Sequence, residues 1–155
     1  MHKKTAVILF NLGEPDRLDA VKPFLFNLFY DPAILTVPNP MRWMMAKSIS
    51  KQRAPRARNN FRVMENKLSI LDETEKQRLK LETVLNDKSD DEFKCFMFMR
   101  HWTPFAKDII NNIKAFSPDE IVLLPLYPQY SVTTTGSGLI EWNKQAKLAK
   151  LEIPF

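Results

Sequence analysis

Apolar and polar positions fall into blocks of two lengths along this chain. Three short apolar runs, Thr5 to Phe10, Phe93 to Met99 and Ile121 to Pro125, read as strands, and Phe93 to Met99 is long and apolar enough to be central in a sheet covered on both faces. The longer stretches between them carry helical spacing. Leu18, Val21, Leu25, Leu28 and Phe29 recur on one face, with Asp16 placed to cap a helix near Arg17. Pro23 sits late for a first-turn proline, so that helix either starts after Asp16 or is interrupted. Met41, Met44, Met45 and Ile49 share a face, and Ala54 to Met64 reads as a separate helix begun by Pro55 at its first turn. Glu65 to Ile70 breaks the pattern. Asp72 then precedes a helix through Asn86, and two more helices are predicted over Phe105 to Phe116 and Leu139 to Lys150. Strand, helices, strand, helix, strand, helix is the order of an α/β fold: a three-layer domain around a short parallel sheet with right-handed crossovers. Three strands make a thin sheet, and Ile153 to Phe155 lies where a fourth could begin, so the chain is expected to be one part of a larger functional unit.

Composition narrows the classes. A chain of 155 residues with 45% apolar and 26% charged residues is one domain able to bury a core. Its net charge of +5 is too modest to argue for nucleic acid, but the charge is unevenly spread. Arg42, Lys47, Lys51, Arg53, Arg56, Arg58 and Arg62 follow one another with no acid between Met41 and Arg62, a local field suited to an anionic ligand or surface. With Trp43 nearby, the methionine face admits two readings: an amphipathic basic helix on an anionic membrane or at a pocket lip, or a helix packed on the core by its methionines. The single cysteine, Cys95, sits in an apolar run and fits a reducing compartment. The apolar run after His2 is too short for a signal peptide and no stretch has transmembrane length, so a cytoplasmic protein, peripheral at the membrane at most, is expected.

Candidate chemistry gathers just past the predicted strand ends, where ligands bind in open α/β sheets. Asn11 and Leu12 follow the first strand, Arg100 and His101 the second, and Tyr127, Tyr130 and the hydroxyls of Ser131, Thr133, Thr134, Thr135 and Ser137 the third. Such a set could hold a flat, partly apolar anionic molecule, with rings on its faces, arginine on its carboxylates and hydroxyls on its oxygens. The plainer alternative for the last group is a strand-to-helix turn rich in capping residues. No P-loop, dinucleotide fingerprint, nucleophile elbow or metal-ligand spacing appears, and His2 and His101 are the only histidines.

The stretches VILFNLGEPD (7–16), AVKPFLFNLFYDPAILTVPNP (20–40), RAPRAR (53–58), TEKQ (74–77), MRHWTP (99–104) and PDEIVLLPLYPQYSVTTTGS (118–137) resemble, in order, the N-terminal half of bacterial ferrochelatases. These enzymes insert ferrous iron into a porphyrin at the close of haem synthesis. The resemblance implies one half of a two-domain chelatase-like fold with the porphyrin in the cleft between domains. It implies that Leu12, Arg53, Phe61, Ser69, Arg100, His101, Tyr127, Tyr130, Ser131 and Thr133 line or support the porphyrin side, and that the segment near Asn27 to Arg53 forms a lip able to touch the inner membrane. Iron and porphyrin would be substrates, with no permanently bound cofactor. Val132 stands where iron–sulfur members carry a cysteine, so no cluster is expected. The family's glycine-rich turn is replaced by Glu65-Asn66-Lys67-Leu68-Ser69, Phe61 takes the place of a tyrosine, His101 that of another aromatic, and Thr103 that of a histidine before proline. The catalytic histidine and its carboxylate partner belong to the family's second half. The isolated chain is therefore expected to be inactive: a half-enzyme completed by a C-terminal-half polypeptide or a longer gene product, a porphyrin- or haem-binding remnant, or a peripheral membrane protein acting through the basic helix. Its uncovered cleft face would favour self-association.

Overall fold

The structure, a computed structural model, describes residues 2–64 and 69–155. Three parallel strands, β1 (Lys4–Asn11), β2 (Glu92–Met99) and β3 (Glu120–Pro125), form a sheet in the order β2-β1-β3. Val7 lies opposite Cys95 on one side and Val122 on the other, so β1 takes the central position and the run expected to be central, Phe93 to Met99, is an edge strand, its outer side met by a helix instead of a further strand. The predicted place for a fourth strand holds one ladder-like bond: the Ile121 N–H donates to the Pro154 carbonyl at 2.9 Å, along the outer edge of β3.

Strand alternation splits the core between the two faces of the sheet. On one face Ala6, Ile8, Phe10, Phe96 and Phe98 pack under α4 (Ala106–Phe116) and α5 (Ser137–Leu148). Phe10 stacks on Phe98 with centroids 5.1 Å apart, and Phe98 in turn stacks on the buried Trp142 at 6.1 Å. On the other face Val7, Leu9 and Cys95 meet Leu81 and Leu85 of α3 (Ile70–Lys88). Burial pushes the Cys95 thiol up to about 11. Helix α3 also closes the outer edge of β2. Glu82 accepts from the Cys95 N–H at 2.7 Å, Arg78 donates to the Cys95 carbonyl at 2.9 Å, and Asn86 both donates to and accepts from Phe93. Side chains thus satisfy backbone groups that an edge strand would leave open. Over β3 the same face is less covered: Leu124 packs on this cluster only partly buried, and Val122 is 43% exposed.

Two helices form an arm beside this body: α1 (Val21–Tyr30) and α2 (Asn39–Met64). Helix α1 starts later than Asp16, which instead pairs with Arg17 and accepts from the Trp102 indole at 3.0 Å. With Val21 as its first residue, Pro23 falls within the first turn, where no N–H has an intrahelical partner. The two helices expected over 41–64 are one, running through Pro55. Ala46, Ser50 and Ala54, spaced by four, are its buried residues and let α2 lie close against its neighbour, which offsets the bond lost at the proline. The methionine face is not the packed one: Met41 and Met44 are 51% and 66% exposed. Helix α3 begins at Ile70 rather than after Asp72, because Ser69 caps it by accepting from the N–H groups of Leu71 and Asp72. The substituted turn at 65–68 lies outside the described residues. Among the described residues no helix is long and apolar enough to cross a membrane.

Candidate functional site

The sheet delivers three chain segments to one end. Past β1 and β2 the ladder continues, with the N–H groups of Arg100 and His101 donating to the carbonyls of Asn11 and Leu12 at 2.8 and 3.0 Å. The Leu126 N–H donates to the Phe10 carbonyl at 2.9 Å, which fixes the exit of β3. Gly13 is required for the first exit: its φ is +87°, and a Cβ there would stand 2.9 Å from the Cβ of Met99.

At the floor of this end lies a buried polar knot centred on Asp31. Its carboxylate receives the Arg100 guanidinium at 3.0 Å, the Ser137 hydroxyl and the Ala33 N–H at 2.8 Å. Arg100 also donates from Nε to Ser137 at 2.6 Å, so arginine, serine and aspartate close a triangle. His101 Nε2 stands 3.6 Å from the same carboxylate oxygen, and the side chain has no exposed surface. Neither ring nitrogen of His101 has a hydrogen-bond partner among the described residues. Burial, and then the neighbouring Arg100 charge, push its pKa down to about 4 against the opposing pull of Asp31, so the ring is neutral near pH 7. From α1, Asn27 donates to the His101 carbonyl at 3.0 Å.

Above the knot the hydroxyl loop divides. Ser137 and Thr135 are buried, and Ser137 belongs to the knot rather than to an open mouth. Ser131 and Thr133 stay on the outside, their hydroxyls bonded to each other at 2.9 Å, while Ser131 accepts from the Thr133 N–H and so caps a single wide π-helical turn (Val132–Gly136) leading into α5. Tyr130 is 70% exposed beside it. The capping and ligand-facing readings of this loop thus describe different residues of one turn. Tyr127 points the other way, edge-on to Phe10 at 6.3 Å. Its buried hydroxyl has no partner among the described residues, and desolvation pushes its pKa up to about 12.

The remaining predicted residues lie on the arm and at its far end. The exposed Arg53 guanidinium sits over the Phe29 ring at 5.1 Å and borders a groove of about 590 Å³ between α1 and α2, shared with Leu25, Arg56 and Asn60. Phe61 is half-buried near the end of α2, and Ser69 is occupied as the cap of α3. Among the described residues no bond joins either of them to the strand-end cluster, whereas Leu12, Arg100 and His101 are brought together, as are Tyr130, Ser131 and Thr133.

A family model described as ferrochelatase matches residues 4–155. The chain belongs to the ferrochelatase family. It is 52% identical over 144 residues to a ferrochelatase of Wolbachia sp. subsp. Drosophila simulans, a match covering 93% of this chain and 46% of that protein. A ferrochelatase of Pelagibacter ubique is 50% identical over 145 residues, 93% of this chain and 42% of its own length. One from Rickettsia canadensis is 47% identical over all 155 residues, which is 43% of its length. The chain therefore spans under half the length of the curated ferrochelatases it matches. Within that half the residue the sequence reading missed is Asp31. The available signal was its isolation: between Asp19 and Glu65 it is the sole carboxylate, set among aromatics and prolines. A lone acid there needs a cationic partner, and Arg100 supplies it.

Proposed function

We propose that this chain is the porphyrin-contacting half of a ferrochelatase and that it binds and orients a porphyrin for insertion of ferrous iron. The observation that carries this reading is the coupling of a rigid polar floor to a basic, aromatic arm. Asn27 holds α1 to the His101 carbonyl, and on the same helix Phe29 carries the Arg53 guanidinium, so one element links strand ends and lip. Leu12 would meet a ring face, Arg53 and the Ser131–Thr133 pair would meet propionates, and Tyr130 would add an exposed aromatic edge. The apolar Met41, Trp43 and Met44 face of α2 supports a peripheral contact of the lip with lipid.

Removing two pyrrole protons needs a base within hydrogen-bond reach of the macrocycle. His101 is sealed beneath the floor, so these residues supply binding and orientation while proton removal falls to the family's second half. Titrating protoporphyrin and following its Soret band tests the reading: a saturable change at micromolar protein is expected, and no spectral change would overturn it. Iron insertion assayed with and without a C-terminal-half polypeptide should show turnover with both halves only. Turnover by this chain alone would show that the base had been misplaced.

A further inference from the structure

Where the arm meets the body, on the α4 and α5 side of the knot, lies a cavity of about 480 Å³ that the porphyrin reading does not use. Tyr30 and Arg42 line it from the arm, and Arg100, Lys107, Glu141 and Lys144 from the body. Its charge is lopsided. Asp31 is paired with Arg100, and the remaining carboxylate, Glu141, faces three further cations, Arg42, Lys107 and Lys144, which leaves positive charge in excess. Two of these cations are held in place by bonds that leave one end open. Arg42 donates from Nε and Nη2 to the carbonyls of Leu35 and Val37, and Arg100 donates from Nε to Ser137 and pairs through Nη2 with Asp31. Among the described residues neither guanidinium has a partner for Nη1. Lys144 has no carboxylate partner there, and Lys107 faces only the Phe105 ring, at 5.8 Å.

Pre-oriented guanidiniums with an unused nitrogen, flanked by ammonium groups in a cavity of ligand size, form a receptor for anions. From this arrangement we infer that the arm–body junction is a second binding site, for a small phosphate-bearing anion that bridges Arg42 of the arm to Lys107 and Lys144 of the body. It opens on the α4 and α5 side of the knot and shares Arg100 with the floor of the proposed porphyrin surface.

Pyrophosphate is the probe, titrated calorimetrically into the 155-residue chain at low salt. Saturable binding is expected, weakened at least tenfold by Lys107→Glu with Lys144→Glu, and weakened by Arg42→Gln in protein whose circular dichroism is unchanged. Lys80→Glu with Lys88→Glu makes the same charge change on the distant α3 and should leave binding within twofold. Absence of saturable binding at millimolar pyrophosphate overturns the inference, as does equal weakening by both double variants, which would show a diffuse field only. Vesicles containing phosphatidic acid identify the source of the phosphate: pyrophosphate that competes with the vesicles means that a lipid headgroup can occupy the site, and pyrophosphate bound without vesicle binding means a soluble ligand.

Discussion

The body and the arm of this chain are held by different forces. The body is a sheet between two apolar layers, with Phe10, Phe98 and Trp142 stacked on one side and Leu81 and Leu85 on the other. In the arm, Val21 is the only residue of α1 that is buried, and what fastens the arm to the body is polar: Asp31 to Arg100 and Ser137, Asn27 to the His101 carbonyl, and Arg58 to the Leu18 carbonyl at 3.2 Å. Apolar burial is non-directional and tolerates small shifts, whereas a buried ion pair with shared hydrogen bonds accepts one geometry. The arm carries Arg53 and Phe29, so the polar knot sets where the proposed lip stands over the strand ends.

The sharpest way to break this contrast is to remove its centre. Asp31→Ala leaves the Arg100 guanidinium buried without its partner, and loss of one member of such a pair costs about 3–5 kcal/mol. Urea unfolding followed by circular dichroism should show that loss, with faster amide exchange in α1 and α2 than in β1. A loss below about 1 kcal/mol would mean that water reaches Arg100 and that the knot does not fasten the arm.

The pattern that made the body legible does not exist for the knot. Short continuous apolar runs located all three strands within a residue or so, because burial of a strand on both faces leaves such a run. Where tertiary packing overrode local signals the reading slipped. Pro55 looked like a helix start, yet it sits inside α2 because Ala46, Ser50 and Ala54 carry the packing across it. Asp31 and Ser137 lie 106 positions apart, and only the fold brings them together. Motif resemblance pointed to Arg100 and His101 as a pair but could not tell that one is mostly buried and the other entirely so.

His101 gives the next test, smaller in size and specific in its pH window. Its pKa in the folded chain lies at about 4, below the ordinary value of 6.5, so folding favours the neutral ring. That contribution is complete above about pH 6.5 and is lost as the pH falls towards 4, for a total of about 3 kcal/mol at roughly 1.4 kcal/mol per unit. Glu75 and Glu120, held below the usual carboxylate range by Arg78 and Lys3, keep their contribution above the ordinary carboxylate pKa of 4.5 and lose it as the pH falls below that. His101→Phe, which restores an aromatic ring at this position, should flatten unfolding free energy between pH 6.5 and pH 4.5 while leaving the steeper fall below it. Identical slopes in both proteins would place the titrating group elsewhere.

The smallest effect on stability should come from the arginine at the lip, and there the contrast with Arg100 is most informative. Arg53 is exposed and its described contact is the Phe29 ring, an arrangement worth about 0.5–1 kcal/mol at an exposed site. Much of that is recovered by solvation of the guanidinium in the unfolded chain, so Arg53→Ala should shift unfolding free energy by about 0.5 kcal/mol or less. On the proposed reading the same substitution also removes the cation that would meet a porphyrin propionate, a charge-assisted bond worth about 1.5–3 kcal/mol, so the Soret titration should weaken roughly tenfold or more. Arg100→Ala should lose both stability and porphyrin affinity, because moving the knot moves the arm. If Arg53→Ala left affinity intact while Arg100→Ala abolished it, the propionates would be read by the floor, and the arm would act only as a cover.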